Sequence, residues 1–234
     1  MTITDTTTVG EIAGALPASV RVFQRHGIDF CCGGKKPLTV ACREHGLSFT
    51  EIASAIEVAA DAGTIGERDW SQEPLGALIR HIVTAHHEPL REELPRLVAM
   101  ARKVAQVHGV AAPRLARVAS IVEELAAGLV AHMQREEVVL FPIIDALAIG
   151  TLRRMTSLQA PIAVMEYEHD DAGALLAELR ALTDGYQPPS WGCATLRALY
   201  HGLAELESGM QVHVHLENNV LFPRALHLTA ATNG

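Results

Sequence analysis

The sequence predicts an all-α protein, on three observations. Hydrophobic residues make up 49% of the chain while aromatics make up only 4%, so the apolar content is Ala, Leu, Val and Ile recurring at steps of three and four, as on one face of a helix. Four long stretches, about 72–108, 113–148, 158–183 and 193–227, keep this spacing and are joined by short polar or Pro/Gly segments such as DGYQPPSWG; short connections make neighbouring helices antiparallel and give a four-helix bundle. A shorter region with its own helix signals precedes them. The chain therefore reads as a small N-terminal helical domain, 1–64, and a bundle, 65–234.

In the small domain, Thr8 and Glu11 form a capping box, and Ile12, Leu16, Val20 and Phe23 follow at helical intervals up to Gly27. A second helix is expected over 38–45, ending at Gly46, and a third over 49–60, capped by Ser48 and Glu51. The segment AGTIGERDWSQEP, 62–74, has the composition of a linker. Inside the bundle helices Pro89, Pro95, Pro142 and Pro223 each remove a backbone bond, so the axes should bend there.

Charge and targeting signals narrow the partners. A net charge of −8, with no basic cluster, argues against nucleic acid and anionic membranes. The N-terminus, MTITDTTTVG, lacks a charged n-region and an apolar h-region, and no stretch approaches the apolar length of a membrane span; a cytoplasmic protein is expected. DFCCGG, 29–34, places two thiols side by side. Consecutive Cα atoms stand about 3.8 Å apart, too close for an unstrained disulfide, so Cys31 and Cys32 read as reduced thiols. Cys42 and Cys193 read as ordinary helix residues, and no zinc ribbon is visible.

The bundle seams carry residues foreign to an oily core. The fourth helix runs Leu196, Leu199, Leu203, Leu206, Met210, His213, Glu217, Val220. The second runs Val118, Val122, Leu125, Leu129, His132, Glu136, Val139, Ile143, and the third Ile162, Met165, His169, Ala172, Leu176, Leu179. In the first, Ile79, Val83, His87, Leu90, Leu94, Leu97 align, although His86 fits Leu78 and Ile82 almost as well. The stretch HMQREEVVLFP, 132–142, repeats as HVHLENNVLFP, 213–223, at an offset of 81, and His87 to His169 is an offset of 82. Two copies of a helix pair thus each supply one histidine and one His-x-x-x-Glu, whose members share a helix face.

Buried carboxylates are costly unless paired or bound to metal. Four imidazoles and two carboxylates exceed one tetrahedral zinc, and no thiolate cluster suggests an iron–sulfur centre. Two non-haem iron ions bridged by Glu136 and Glu217, with room for an oxo or hydroxo bridge and an outside ligand, fill the inventory; manganese or a mixed pair satisfies the same ligand types.

HMQRE, MEYEHD and HLENNVLFP resemble the haemerythrin-like domain, and DFCCGG resembles the N-terminal ScdA-type domain. In this order they are similar to the iron–sulfur cluster repair di-iron proteins, the "repair of iron centres" group. The resemblance implies ligands at His87, His132, His169 and His213 with Glu136 and Glu217 bridging, the set already reached from spacing. It further implies damaged iron–sulfur proteins as partners, nitric oxide or dioxygen as small ligands, and repair by iron donation or by reduction of nitric oxide to nitrous oxide. A haemerythrin-like oxygen or nitric oxide carrier or sensor is the alternative. A homodimer is one expectation, with the small domain docking either on its own bundle or on a second subunit.

An acidic pair that the family places one turn before the second-helix ligand is not matched, since residues 127–129 read Ala-Gly-Leu and Glu123 and Glu124 lie about two turns away. Cys31 and Cys32 are expected to act with the bundle as electron donors, nitrosation targets or transient iron ligands, with Gly33 and Gly34 offering backbone N–H groups to a thiolate; the alternative is a tight interhelical turn. His215, flanked by Gln211 and Asn219, is expected on a polar surface, His81, His86 and His108 in structural or exposed positions, and Glu137 off the seam.

Overall fold

The computed structural model describes residues 1–61, 69–152 and 157–230. It is all-α. Helix α1 (Val9–Ala15) opens on the expected capping box, with Glu11 N–H donating to Thr8 Oγ1 at 3.3 Å and Thr8 N–H to Glu11 Oε2 at 2.8 Å. The helix read as continuous to Gly27 is instead split, because Pro17 supplies no N–H; α2 (Ser19–His26) starts two residues later and ends on Gly27 at φ 67°. Helices α3 (Leu38–Glu44) and α4 (Phe49–Asp61) follow as expected. The expected boundary near residue 65 lies outside the described residues.

Each of three long helices contains a π-helical turn. Helix α5 comprises Leu75–Ile82, the turn Val83–His87 and Glu88–His108. Helix α6 comprises Arg114–Arg135, the turn Glu136–Leu140 and Phe141–Ala148. Helix α7 is a regular Gln159–Leu182, and α8 comprises Ala194–His215, the turn Leu216–Leu221 and Phe222–Ala230. Every π turn ends two residues before a proline, Pro89, Pro142 or Pro223. Proline cannot donate to the carbonyl one turn back, and the preceding residue closes a wider ring instead: Glu88, Phe141 and Phe222 N–H donate to the carbonyls of Val83, Glu136 and Glu217.

That extra residue per turn shifts the seams. In α5 the buried positions are Leu78, Ile82 and His87, with steps of four and five; the expected line through Ile79, Val83 and Leu90 is only partly buried, because the π turn brings His87, rather than His86, onto the seam of Leu78 and Ile82. After Glu136 in α6 the buried residues are Leu140 and Ile144 rather than the expected Val139 and Ile143, and Val139 is 52% exposed.

The chain forms two compact units, one of Met1–Arg80, Ile144–Gln159 and Gln211–Gly234, the other of His81–Ile143 and Ala160–Met210. The first has a core of Val9, Ile12, Phe23, Phe30, Leu38 and Ile56. Two backbone bonds, Val9 N–H to Lys36 O at 2.9 Å and Leu38 N–H to Thr7 O at 3.0 Å, tie its first and third helices together. In the second unit the four long helices close a ring: Arg102 of α5 pairs with Glu123 of α6, Arg117 of α6 with Glu178 of α7, and Arg180 of α7 with Glu207 of α8. Gly202 of α8 abuts Leu97 of α5 so closely that a Cβ there would stand 2.8 Å from it. The ion pairs mark the order of helices more than they hold them, at about 0–1 kcal/mol each when exposed. Burial of Leu97, Val118, Leu125, Ile162, Leu179, Leu199 and their neighbours on the seam, at about 1.5–3 kcal/mol per large side chain, dominates.

Candidate metal centre

All six expected ligands are buried, with His87, Glu136, His213 and Glu217 at 0% exposure, His132 at 3% and His169 at 2%. In the second unit Glu136, the first residue of its π turn, projects Oε2 to 3.5 Å from His87 Nε2 and 3.3 Å from His132 Nε2. The His169 and His132 Nε2 atoms are 3.0 Å apart, and His132, Glu136 and His169 each place a ligand atom within 4.8 Å of the others. In the first unit His213 Nε2 stands 3.0 Å from Glu217 Oε1. Two ligands about 2.1 Å from one ion at a right angle stand about 3 Å apart, the range of these separations.

The donor set fits a cation for a second reason. Neither carboxylate oxygen of the fully buried Glu136 accepts a hydrogen bond. An ionised carboxylate so placed is costly without a compensating positive charge.

Behind the ligands stand two groups outside the seams. His87 Nδ1 meets Glu137 Oε1 at 2.6 Å, and Arg91 Nη2 donates to the same oxygen at 2.6 Å. His132 Nδ1 meets Glu168 Oε2 at 2.8 Å, and Arg135 Nη2 donates to Oε1 at 2.6 Å. A carboxylate at Nδ1 holds the proton there and leaves the Nε2 lone pair facing inward. Partial burial pushes both carboxyls up, but the bonds from histidine and arginine outweigh it, so Glu137 and Glu168 sit below the ordinary glutamate value. Glu137 does point off the seam, as its spacing predicts, yet it meets the expected ligand His87 from outside. The available signal was its place directly after Glu136.

A cavity of about 250 Å³ lies between α6 and α7, reaching His132 and His169 past Gly128 and Ala172, with Glu124 and Asp171 on its wall. The acidic residue that α6 puts on this wall is Glu124, a turn before 127–129.

In the first unit the CCGG turn departs from expectation in its electrostatics. Asp29 Oδ1 accepts from the N–H groups of Cys31 at 3.0 Å and Cys32 at 3.1 Å, and Oδ2 from Gly33 at 2.9 Å. The carboxylate therefore occupies donors that could have stabilised a thiolate. Cys31 donates its S–H to Asp29 Oδ1 at 3.2 Å; its contact with Cys32, burial and the Asp29 charge all push its pKa well above the ordinary thiol value.

Two residues lie elsewhere than expected. His215 is buried, its ring set edge-on to Phe30 with centroids 5.6 Å apart and its Nδ1 3.0 Å from Asn219 Nδ2, and burial lowers its pKa to about 4; the polar face on which it sits is covered by the N-terminal residues. Cys193 immediately precedes α8, with Sγ 3.3 Å from His108 Nε2. The His108 bond and backbone N–H groups of Leu196 and Thr195 lower it to about 7. Cys42 is buried in α3, and burial raises its thiol.

Comparison with known proteins agrees with this geometry. Residues 78–225 match the Hemerythrin HHE cation binding domain, and residues 5–60 match ScdA_N, described as a domain of unknown function (DUF542). The iron-sulfur cluster repair protein YtfE of Edwardsiella ictaluri is 44% identical over 220 residues, covering 93% of this chain and 96% of that protein. The proteins of the same name from Pectobacterium atrosepticum and Cronobacter sakazakii are 40% and 42% identical, each over 93% of this chain and 96% and 95% of their own lengths. Among the described residues no helix is long and apolar enough to cross a membrane.

Proposed function

Since the chain belongs to the iron–sulfur cluster repair proteins that join an ScdA_N domain to a haemerythrin HHE domain, we propose that it restores damaged iron–sulfur clusters in other proteins. Its working centre is a pair of non-haem iron ions held by His87, His132, His169 and His213, with Glu136 and Glu217 bridging. The observation that carries this reading is Glu136, a carboxylate at 0% exposure that accepts no hydrogen bond and faces two imidazole nitrogens. When bound, iron supplies both a releasable store of ferrous ion and adjacent sites for a diatomic ligand.

The chain's own residues set the conditions for that chemistry. Glu137 and Glu168 hold the Nδ1 protons of His87 and His132 and fix the ring planes. Leu125, Leu129 and Ala172 keep the cavity beside His132 and His169 apolar, and Glu124 and Asp171 give protons a path along its wall. Cys31 and Cys32 act with the bundle as reduced thiols.

Iron donation is tested by reactivating a cluster enzyme damaged by nitric oxide. The iron-loaded protein, with a sulfur source and a thiol reductant, should outperform an equal amount of free ferrous salt; parity would sink the donation reading. The cavity supports nitric oxide reduction as a second reading. Anaerobic nitric oxide should then yield nitrous oxide in proportion to protein, and a stable nitrosyl adduct without gas would remove it.

A further inference from the structure

The CCGG turn has two features that the bundle ligands do not explain, namely the spacing of its sulfurs and the residues that hold it. Cys31 Sγ and Cys32 Sγ lie 3.8 Å apart, with Asp29 Oδ1 3.2 Å from the first. Two sulfurs each about 2.3 Å from a tetrahedral ion are separated by about 3.8 Å. The thiols thus already stand at the bite of one soft cation.

The turn is fastened to the end of α8. Asn219 Nδ2 donates to Phe30 O at 2.9 Å and Asn218 Nδ2 to Cys31 O at 3.4 Å. A Cβ on Gly10 would stand 2.5 Å from Asn219 Oδ1, and one on Gly34 2.9 Å, so both glycines are needed for the Asn219 side chain to enter. Asn218 follows Glu217 directly. At the repeat offset of 81 its counterpart is Glu137, which serves His87. The same position thus supports a histidine in the first repeat and holds the thiol turn in the second.

We propose that Cys31 and Cys32 form a second cation site, a dithiolate for a soft divalent ion such as ferrous iron, held beside Glu217 by Asn218 and Asn219. Binding involves no electron transfer. Both S–H bonds break, two sulfur–metal bonds form and two protons leave, with the Asp29 carboxylate placed to take the first. Two thiolates leave the other positions of a tetrahedral ion to Asp29, water or an acceptor protein, which suits passage more than storage. As a transfer point the site rests on the iron-donation reading; as a cation site it does not.

The test is cobalt(II) titrated into the reduced, metal-free full-length protein. Histidine and carboxylate ligands give no thiolate-to-cobalt charge-transfer band, so that band reports the thiols alone. Its final intensity should correspond to one thiolate-bound cobalt per chain beyond the cobalt taken up by the bundle ligands, two more protons should be released than from C31S/C32S, and maleimide labelling of Cys31 and Cys32 should slow by about tenfold or more, since only an unbound thiolate reacts. The C31S/C32S protein should lose the band while keeping its helical circular dichroism. A missing band with both thiols reduced, or a band that survives C31S/C32S, overturns the site. The N219A protein should keep the band but donate iron several-fold more slowly; donation at the wild-type rate overturns the transfer role. If wild-type donation merely equals free ferrous salt, donation itself falls, and the cobalt band decides the cation site independently.

Discussion

Glu137 and Glu168 show how single side chains outside the seam shape the centre. Each accepts the Nδ1 proton of one histidine and is held by one arginine, so the imidazole approaches a cation with its lone pair set. Glutamine keeps the shape but offers a weaker, uncharged acceptor. Glu168→Gln should therefore lower iron retention by about 10- to 100-fold against a competing chelator, with helical content unchanged; retention equal to wild type would mean that His132 needs no support. The cysteines permit a prediction of the opposite kind, resolved by pH. The thiolate is the reactive form. Cys193, held near 7, is mostly ionised at pH about 8, whereas Cys31, raised by Cys32, burial and Asp29, stays protonated. Iodoacetamide at that pH should label Cys193 first, with a rate that levels off above neutrality, while labelling of Cys31 continues to climb into the alkaline range. His108→Ala should move the Cys193 profile upward. Peptide mass spectrometry reads all three profiles, and equal rates for the two thiols would contradict the geometry. Neither behaviour was legible beforehand, because Cys193 meets a histidine 85 residues away and the Asp29 cradle depends on the folded shape of the turn.

At the scale of the element, the π turns set the positions of His87, Glu136 and Glu217, which all lie within them. A helical reading with one fixed period places His132, Glu136, His213 and Glu217 on buried seams, as they are, because each pair lies within four residues and accumulates little error. Beyond Glu136 the same reading fails by one residue, at Val139 and Ile143, because the extra residue of Glu136–Leu140 enters there. The signal was present in the prolines, which point to a local disturbance but do not say whether it is a kink or a widened turn. Pro142→Ala restores an N–H at position 142 and allows an ordinary turn. Relieving a mid-helix proline should stabilise the metal-free protein by about 1–3 kcal/mol, yet it should reduce iron content, since Glu136 opens the affected turn. Calorimetry and metal analysis on the same sample test both halves, and full iron content would show that the wide turn is dispensable. The cavity gives a second handle on α6. No neighbour lies within 4 Å of a Cβ added at Gly128, so Gly128→Leu should be accommodated and should narrow the path to His132. Azide binding to the loaded protein should slow with iron content unchanged; an unaltered rate would place the entry route elsewhere.

For the molecule as a whole, the sequence made the all-α class, the repeat and the burial of six histidine and glutamate side chains legible, because all three are written in local spacing. The contacts of Asn218 and Asn219 with residues 30 and 31 were not, since nothing local distinguishes an asparagine facing solvent from one facing a backbone carbonyl 187 or 189 residues earlier. The energetic consequence of the ligand set is also a whole-molecule property. A fold that buries Glu136 and Glu217 at 0% exposure stores an unfavourable term that a bound cation removes. With free metal at about a thousand times its dissociation constant, linkage adds about 4 kcal/mol, and a chain of this size gains about 2–4 °C in Tm per kcal/mol. Removing iron with a chelator should thus lower Tm by about 8–16 °C, whereas raising salt, which screens surface pairs worth about 0–1 kcal/mol each, should move it much less. Glu136→Gln separates the two sides of the argument. Without the buried charge, its metal-free form should melt above the metal-free wild type, and iron should stabilise it far less. If instead the substitution lowers the metal-free Tm and leaves the iron-dependent gain intact, Glu136 is a structural residue and the cation is held by other groups.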